Sequence, residues 1–282
     1  MSKRRRLLVV VGAFLLLVFP LLWVVSSVPA TARGPAPTAD VRVAATVSGP
    51  ADLAALAQRD PLELVRLGRA RYDRVVRDYR CVLVKQERLG DTLTPVQEIE
   101  FRYREQPHSV YMIWRANADG ARRALYIDQS DFVDGQGRKA ARVEPAGAVA
   151  RLFVKDIMIP LHGAEARKAS RRSMDEAGFR ATFELLENYN AIAAQRGVLN
   201  LRYGGTGGVD GRPTYVIVRE LPYEGPAGPY PDARLVLHLD QEWLLPVAIY
   251  SYADRAEQSL LGSYVFTQVE LNPGFDADAF RF

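Results

Sequence analysis

Glu98-Ile99-Glu100-Phe101-Arg102-Tyr103-Arg104 alternates charged and apolar side chains without a break. A period of two places Ile99, Phe101 and Tyr103 on one face of an extended strand and the charges on the other, the pattern of a sheet with one face against a core. Upstream, Tyr79 to Leu89 reads as a strand closed by Gly90-Asp91. Downstream, Pro107 breaks the chain, and Ser109 to Arg115 is apolar on both faces, as in a central strand covered on both sides. Arg122 to Asp128 reads as a further strand, and Asp131 to Val143 as a hairpin around Asp134-Gly135-Gln136-Gly137. Consecutive strands joined by short turns imply an antiparallel meander.

A helix is expected before this meander. Asp60-Pro61-Leu62-Glu63 supplies a capping residue, Pro at the first helical position and Glu at the third. Leu62, Val65, Tyr72, Val76 and Tyr79 follow at helical spacing, and Arg66, Arg69, Arg71, Arg74 and Arg77, mixed with acids, form a solvated face. Residues 145 to 172 read as irregular, and Ser173 as the cap of a second helix carrying Phe179, Phe183, Leu186 and Ile192. Strands are expected at about 198–203, 213–221, 233–240, 245–253 and 259–271. Gly204 to Gly208 reads as a hairpin loop, since a phosphate loop needs Lys-Ser/Thr and a following helix. The expected fold class is α+β: a curved antiparallel β-sheet with helices packed on its concave side, in one domain over residues 52–282. A domain of that size buries enough surface to fold without disulfides.

The N-terminus carries a targeting signal. Lys3, Arg4, Arg5 and Arg6 precede Leu7 to Val25, 19 residues without a charged or polar side chain. As a helix these would span roughly 29 Å, about the hydrocarbon thickness of a bilayer. Ala30-Thr31-Ala32 then offers a small-x-small cleavage pattern. Residues 1–32 are therefore a cleaved signal peptide or a retained anchor with its basic end in the cytoplasm. Either outcome puts the rest in the cell envelope: on the periplasmic side of the inner membrane if anchored, periplasmic if cleaved. Residues 33–51, rich in Ala, Pro and Thr, read as a flexible linker.

Charge and cysteine content narrow the function. The net charge is +4, and the basic cluster at residues 3–6 accounts for it, leaving 33 basic residues against 33 acidic ones. A neutral body lacks the footprint that phosphate-backbone binding requires, so nucleic acid is excluded as a partner. The single cysteine, Cys81, lies among Tyr79, Val82, Leu83 and Val84 and reads as a buried strand residue. His108, His162 and His238 lie far apart in sequence, with no acidic or Cys partner at ligand spacing. Ser173, Ser251 and Ser259 lack a nucleophile context, and Glu98/Glu100 look solvated. No catalytic set, metal site or cofactor is expected.

What remains is an aromatic-rich sheet. Two helices are too few to cover about ten strands, so a curved sheet would hold an apolar groove or cavity suited to acyl chains. The candidate lining residues are Ile99, Phe101, Tyr103, Met112, Trp114, Tyr250, Tyr252 and Phe266. An ordinary closed core is the competing reading.

Two stretches carry a family resemblance. Leu237 to Tyr250 (LHLDQEWLLPVAIY), followed by Tyr264 to Phe280 with Leu271-Asn-Pro-Gly274 and a closing Asp276-x-x-x-Phe280, resembles the end of the LolA-like outer-membrane lipoprotein-sorting proteins. Lys85-Gln86-Glu87-Arg88, Arg104-Glu-Gln-Pro-His-Ser-Val-Tyr111 with Trp114, and Arg171 to Phe179 are similar to the bacterial domain of unknown function 1571, a family related to that superfamily. The resemblance spans about residues 60 to 282. It implies an incomplete antiparallel β-barrel with helices as a lid over an apolar cavity that takes acyl chains in carriers and senses lipoprotein in regulators. The expected function is an extracytoplasmic, membrane-tethered binder of a lipid or of lipoprotein acyl chains, held by residues 7–25. A retained anchor favours a sensor or assembly factor over a freely diffusing carrier. The alternative is a cell-envelope structural module with a filled core, no ligand and an envelope protein partner.

Overall fold

The structure, a computed structural model, describes residues 49–118, 120–147 and 154–282. The expected signal or anchor and nearly all of the expected linker lie outside the described residues. Twelve strands make one antiparallel sheet. In chain order they are β1 (Asp78–Leu89), β2 (Thr92–Leu93), β3 (Gln97–Arg104), β4 (Ser109–Ala116), β5 (Ala121–Ile127), β6 (Ala140–Pro145), β7 (Ile157–Pro160), β8 (Asn200–Val209), β9 (Arg212–Glu220), β10 (Arg234–Asp240), β11 (Pro246–Tyr252) and β12 (Leu260–Leu271). Their spatial order is β7-β6-β5-β4-β3-β1-β12-β11-β10-β9-β8, with the short β2 paired to β1. Two meanders are thus joined through the β1–β12 pair at the middle of a curved, open sheet.

The helices lie before β1 and between β7 and β8. They are α1 (Pro50–Arg59), α2 (Pro61–Val75), α3 (Ala164–Ala169) and α4 (Phe179–Gln195), with a 3-10 turn at Met174–Glu176 ahead of α4. The Asp60 side chain accepts from the Glu63 N–H at 2.9 Å, so the expected cap starts α2. α2 buries Leu64, Val65, Gly68 and Tyr72. Gly68 is required by packing, because a Cβ there would sit 2.6 Å from the Leu244 carbonyl oxygen in the β10–β11 turn.

Several local readings are corrected. Gly204 to Gly208 is strand, not loop: β8 runs through it in register with β9, and the turn falls at Asp210-Gly211. Side chains of neighbouring strands fill the space above these glycines, with Val218 and His238 each 3.0 Å from where a Cβ would project at Gly204 and Gly207. The hairpin read over 131–143 is only a tight turn with one bridge, Val133 to Lys139, and β6 pairs with β5 and β7 instead. The stretch read as irregular contains β7 and α3. Ser173 caps the 3-10 turn rather than α4, which begins after Gly178. An unanticipated helix, α1, starts at Pro50, inside the stretch read as linker.

Period two holds along β1, where Tyr79, Cys81, Leu83 and Glu87 are buried. On β3, Ile99, Phe101 and Tyr103 are buried likewise. These residues meet α2 and α4 in one core that also takes Val110, Met112, Phe179, Phe183, Leu237 and Phe266. Tyr79 is at its aromatic centre, with ring centroids 4.9 Å from Tyr103 and 4.6 Å from Phe179. β4 is covered on both faces, as its apolar run requires. Tyr111 belongs to a second cluster with Leu125, Phe132 and Phe280, covered by the C-terminal segment. There Arg104 stacks 4.5 Å over Phe280, Arg123 stacks 4.9 Å over Phe282, and Arg102 donates to the Ala279 carbonyl at 3.0 Å.

Candidate functional site

Strand register sorts the helix-covered face into rows. Glu87, Gly262, Ser251, Leu235 and Arg219 lie opposite one another across β1, β12, β11, β10 and β9. The next row holds Gln97, Lys85, Tyr264, Ile249, Leu237 and Ile217. Trp114, Ile99, Leu83 and Phe266 follow in the third. Polar side chains therefore gather toward one end of the sheet and apolar ones toward the other.

A cavity of about 230 Å³ sits between these rows and the helical cover. The sheet contributes Leu83, Met112, Trp114, Ile249 and Phe266, and the cover contributes Ala166, Ala169, Met174, Leu185 and Leu186. Of the eight candidate residues, Met112, Trp114 and Phe266 line this space. Ile99, Phe101 and Tyr103 share their strand face but are consumed in the packed core. On β11 the lining residues are Ile249 and Ser251, so Tyr250 and Tyr252 have the other parity, and Tyr250 packs edge-on against His238 at 5.9 Å.

Behind the polar end of the cavity, which Lys85, Ser170 and Tyr264 line, sits a buried carboxylate that pairs with all three. Glu87 is 1% exposed. It accepts from Tyr264 Oη at 2.6 Å, Ser170 Oγ at 2.9 Å and Lys85 Nζ at 3.1 Å. Burial pushes its carboxyl up, but the Lys85 charge and these donors outweigh burial and hold it below the usual carboxylate range. Burial, reinforced by the Glu87 charge, pushes the Tyr264 hydroxyl well above its ordinary value. Gly262 leaves this pairing room, since a Cβ there would press the Tyr264 ring at 3.1 Å. Ser170 follows α3, so the node ties the cover to the centre of the sheet.

At the opposite edge Arg219 and Asp232 are 1% and 2% exposed and both line the cavity. Arg219 donates to both Asp232 oxygens at 3.1 and 3.2 Å and to Asn190 Oδ1 of α4 at 3.2 Å. Two ion-paired anchors thus bracket an apolar space. Arg219 did not stand out in sequence, and Glu87 stood out only as part of the Lys85–Arg88 motif, with no role attached to it. The available signal was parity, because Lys85 and Glu87 continue the Tyr79, Cys81, Leu83 series on β1.

The histidines are dispersed. His108 is packed against the Tyr103 and Tyr126 rings, His162 contacts Asp175 at 3.0 Å, and His238 contacts Thr214 at 3.0 Å. Among the described residues, no group of three or more His, Cys, Asp or Glu side chains is placed to hold a metal. Cys81 is buried, and burial pushes its thiol up.

These features define a class: an open antiparallel sheet whose one face holds an apolar chamber under a helical cover. The chain belongs to the family described as Protein of unknown function (DUF1571), whose model matches residues 76–282. No curated protein sequence matches it. Similar solved structures include MucB, at 20% identity and a TM-score of 0.45, covering 80% of this chain and 63% of that one. The chain thus spans less than two thirds of MucB. The lipoprotein LppX of Mycobacterium tuberculosis is similar at 15% identity and a TM-score of 0.42, covering 78% of this chain and 100% of that one. An outer membrane lipoprotein-sorting protein domain from Vibrio parahaemolyticus is similar at 12% identity and a TM-score of 0.33, covering 78% and 95%.

Proposed function

We propose that this protein binds a lipid, or the acyl chains of a lipoprotein, on the outer side of the inner membrane, and acts there as a sensor, carrier or assembly factor. The observation that carries this reading is the apolar cavity of about 230 Å³ beneath α3 and α4. Its volume is below the several hundred Å³ typical of drug-sized ligand sites. It exceeds the roughly 150 Å³ of a dry engineered cavity that accepts benzene. An acyl chain therefore enters by its terminal segment rather than along its whole length. The basic residues at 3–6 and the apolar run at 7–25 support a tether in the membrane, with cleavage after Ala32 as the other processing outcome.

Gentle extraction of the full chain followed by native mass spectrometry tests this reading. A bound lipid is expected, and its release is expected on filling the cavity by Ala169→Phe. A protein that is empty as isolated and takes up no acyl probe would refute lipid binding. That result would leave the envelope protein-interaction reading standing.

A further inference from the structure

Beside the apolar cavity lies a second, wider hollow of about 670 Å³. Five cationic side chains line it: Arg88, Arg167, Lys168, Arg171 and Arg172. Its lining contains no Asp or Glu. Among the described residues, only Lys168 has a carboxylate within 4 Å, that of the exposed Glu165 at 2.9 Å. The other four have no carboxylate within 4 Å among the described residues.

Three of those arginines are held in place by backbone carbonyls rather than by acids. Arg88 donates to the carbonyls of Leu260 at 2.9 Å and Asp91 at 3.0 Å. Arg167 donates to the His162 carbonyl at 2.6 Å, and Arg171 to those of Leu261 and Pro231 at 3.2 and 3.5 Å. These bonds fix the guanidinium groups without cancelling them. Tyr230 also lines the hollow. It is 4% exposed, and its hydroxyl has no hydrogen-bond partner among the described residues. Gathered cations with no acid among them are the features of an anion site, and arginine forks suit phosphate and carboxylate groups.

The two hollows share a wall formed by Arg171, Arg172, Tyr189 and Pro231. From this juxtaposition we propose that the ligand is an anionic amphiphile. Its phosphate or carboxylate headgroup sits in the basic hollow, and its acyl end passes the Arg171–Arg172 wall into the apolar cavity. This rests on the acyl-binding reading above and adds the headgroup class to it. The chain is neutral apart from its first residues, so this concentration of positive charge is local and directs the ligand's orientation.

The experiment uses the full chain in neutral micelles with three probes: octyl phosphate, octanol and inorganic phosphate. Octyl phosphate is expected to bind at least tenfold tighter than octanol, with the advantage shrinking as salt rises. In the Arg88→Gln/Arg167→Gln double variant, whose two positions line the basic hollow and not the apolar cavity, the advantage should fall below threefold while octanol affinity stays unchanged; an undiminished advantage overturns the headgroup proposal. Lys168→Gln alone provides a second test, since it gives up only an exposed ion pair with Glu165; it too should reduce the advantage of octyl phosphate, and no reduction in either variant overturns the headgroup proposal. Equal binding of octyl phosphate and octanol by the unaltered chain overturns the headgroup proposal and leaves acyl binding intact. Inorganic phosphate binding as tightly as octyl phosphate overturns the amphiphile in favour of free phosphate. Failure of both octyl probes overturns the acyl reading itself, and this proposal with it.

Discussion

Gly178 is the residue on which the attachment of α4 to the sheet turns. Its φ is 96° and its ψ is −175°, a region open to glycine alone. A Cβ at this position would lie 2.2 Å from Tyr79 Oη. That hydroxyl accepts the Phe179 N–H at 3.0 Å and so caps a helix whose own N-cap residue has no side chain. Gly178→Ala therefore incurs two costs. The backbone strain is about 1–3 kcal/mol. Displacing the Tyr79 hydroxyl leaves a buried donor unsatisfied, for about another 1–3 kcal/mol. The expected total of about 4 kcal/mol corresponds to a drop of roughly 8–16 °C in melting temperature for a domain of this size. Urea titration of the full chain in neutral micelles, followed by far-ultraviolet circular dichroism, measures it. A double-mutant cycle with Tyr79→Phe sharpens the test. Tyr79→Phe alone should cost about 1–3 kcal/mol. In the Gly178→Ala background it should cost nothing further, because the bond it removes is already broken and the lost hydroxyl relieves the clash. Additive losses, or a Gly178→Ala loss under about 1 kcal/mol, would refute this account of the helix attachment.

Four further outcomes follow from the same structure. Because the Glu87 carboxyl is held below its ordinary value, its contribution to stability is complete above the unfolded carboxylate value and is lost as pH falls through the folded one. Glu87→Gln should therefore flatten the acid side of the stability profile, measured by denaturation at pH 5, 4 and 3; an unchanged slope would contradict the buried node. Arg219→Ala leaves Asp232 buried and unpaired and should cost about 3–5 kcal/mol, whereas exposed Arg66→Ala should cost under about 0.5 kcal/mol, both read by urea midpoint. Ala169→Phe should weaken binding of a fluorescent fatty-acyl probe at least tenfold while keeping the native circular dichroism spectrum. Cys81 should react with a thiol reagent only at the rate at which the domain opens, which a comparison of labelling rate with urea concentration reveals.

The strand pattern was legible because it is local. Ile99, Phe101 and Tyr103 alternate with charges, and each is at most 1% exposed. The Asp60 cap was equally legible, since the residues that make it are adjacent in sequence. Gly204 to Gly208 misled because its strand character comes from a neighbour: β9 fixes the register, and side chains of β9 and β10 occupy the space the glycines leave. The cavity was only half legible. Aromatic content pointed to Tyr250 and Tyr252, but the face is chosen by register with β12, where Tyr264 opposes Ile249. Glu87 and Arg219 were hidden because a charged side chain at an inward position reads like a solvated one. The partners that make its burial tolerable, Tyr264 and Ser170 for Glu87 and Asp232 and Asn190 for Arg219, lie on other elements.

The union of β1 with β12 has a consequence for folding. Tyr79 pairs with Leu271, so the middle of the sheet is closed by two strands that lie far apart in sequence, with ten other strands between them. Contacts of such long sequence separation form late and slowly. The β1 ladder cannot be completed on this side until β12 is free to pair with it. Union of the two meanders into one sheet therefore waits on this single seam, with β12 acting as the zipper pulled last.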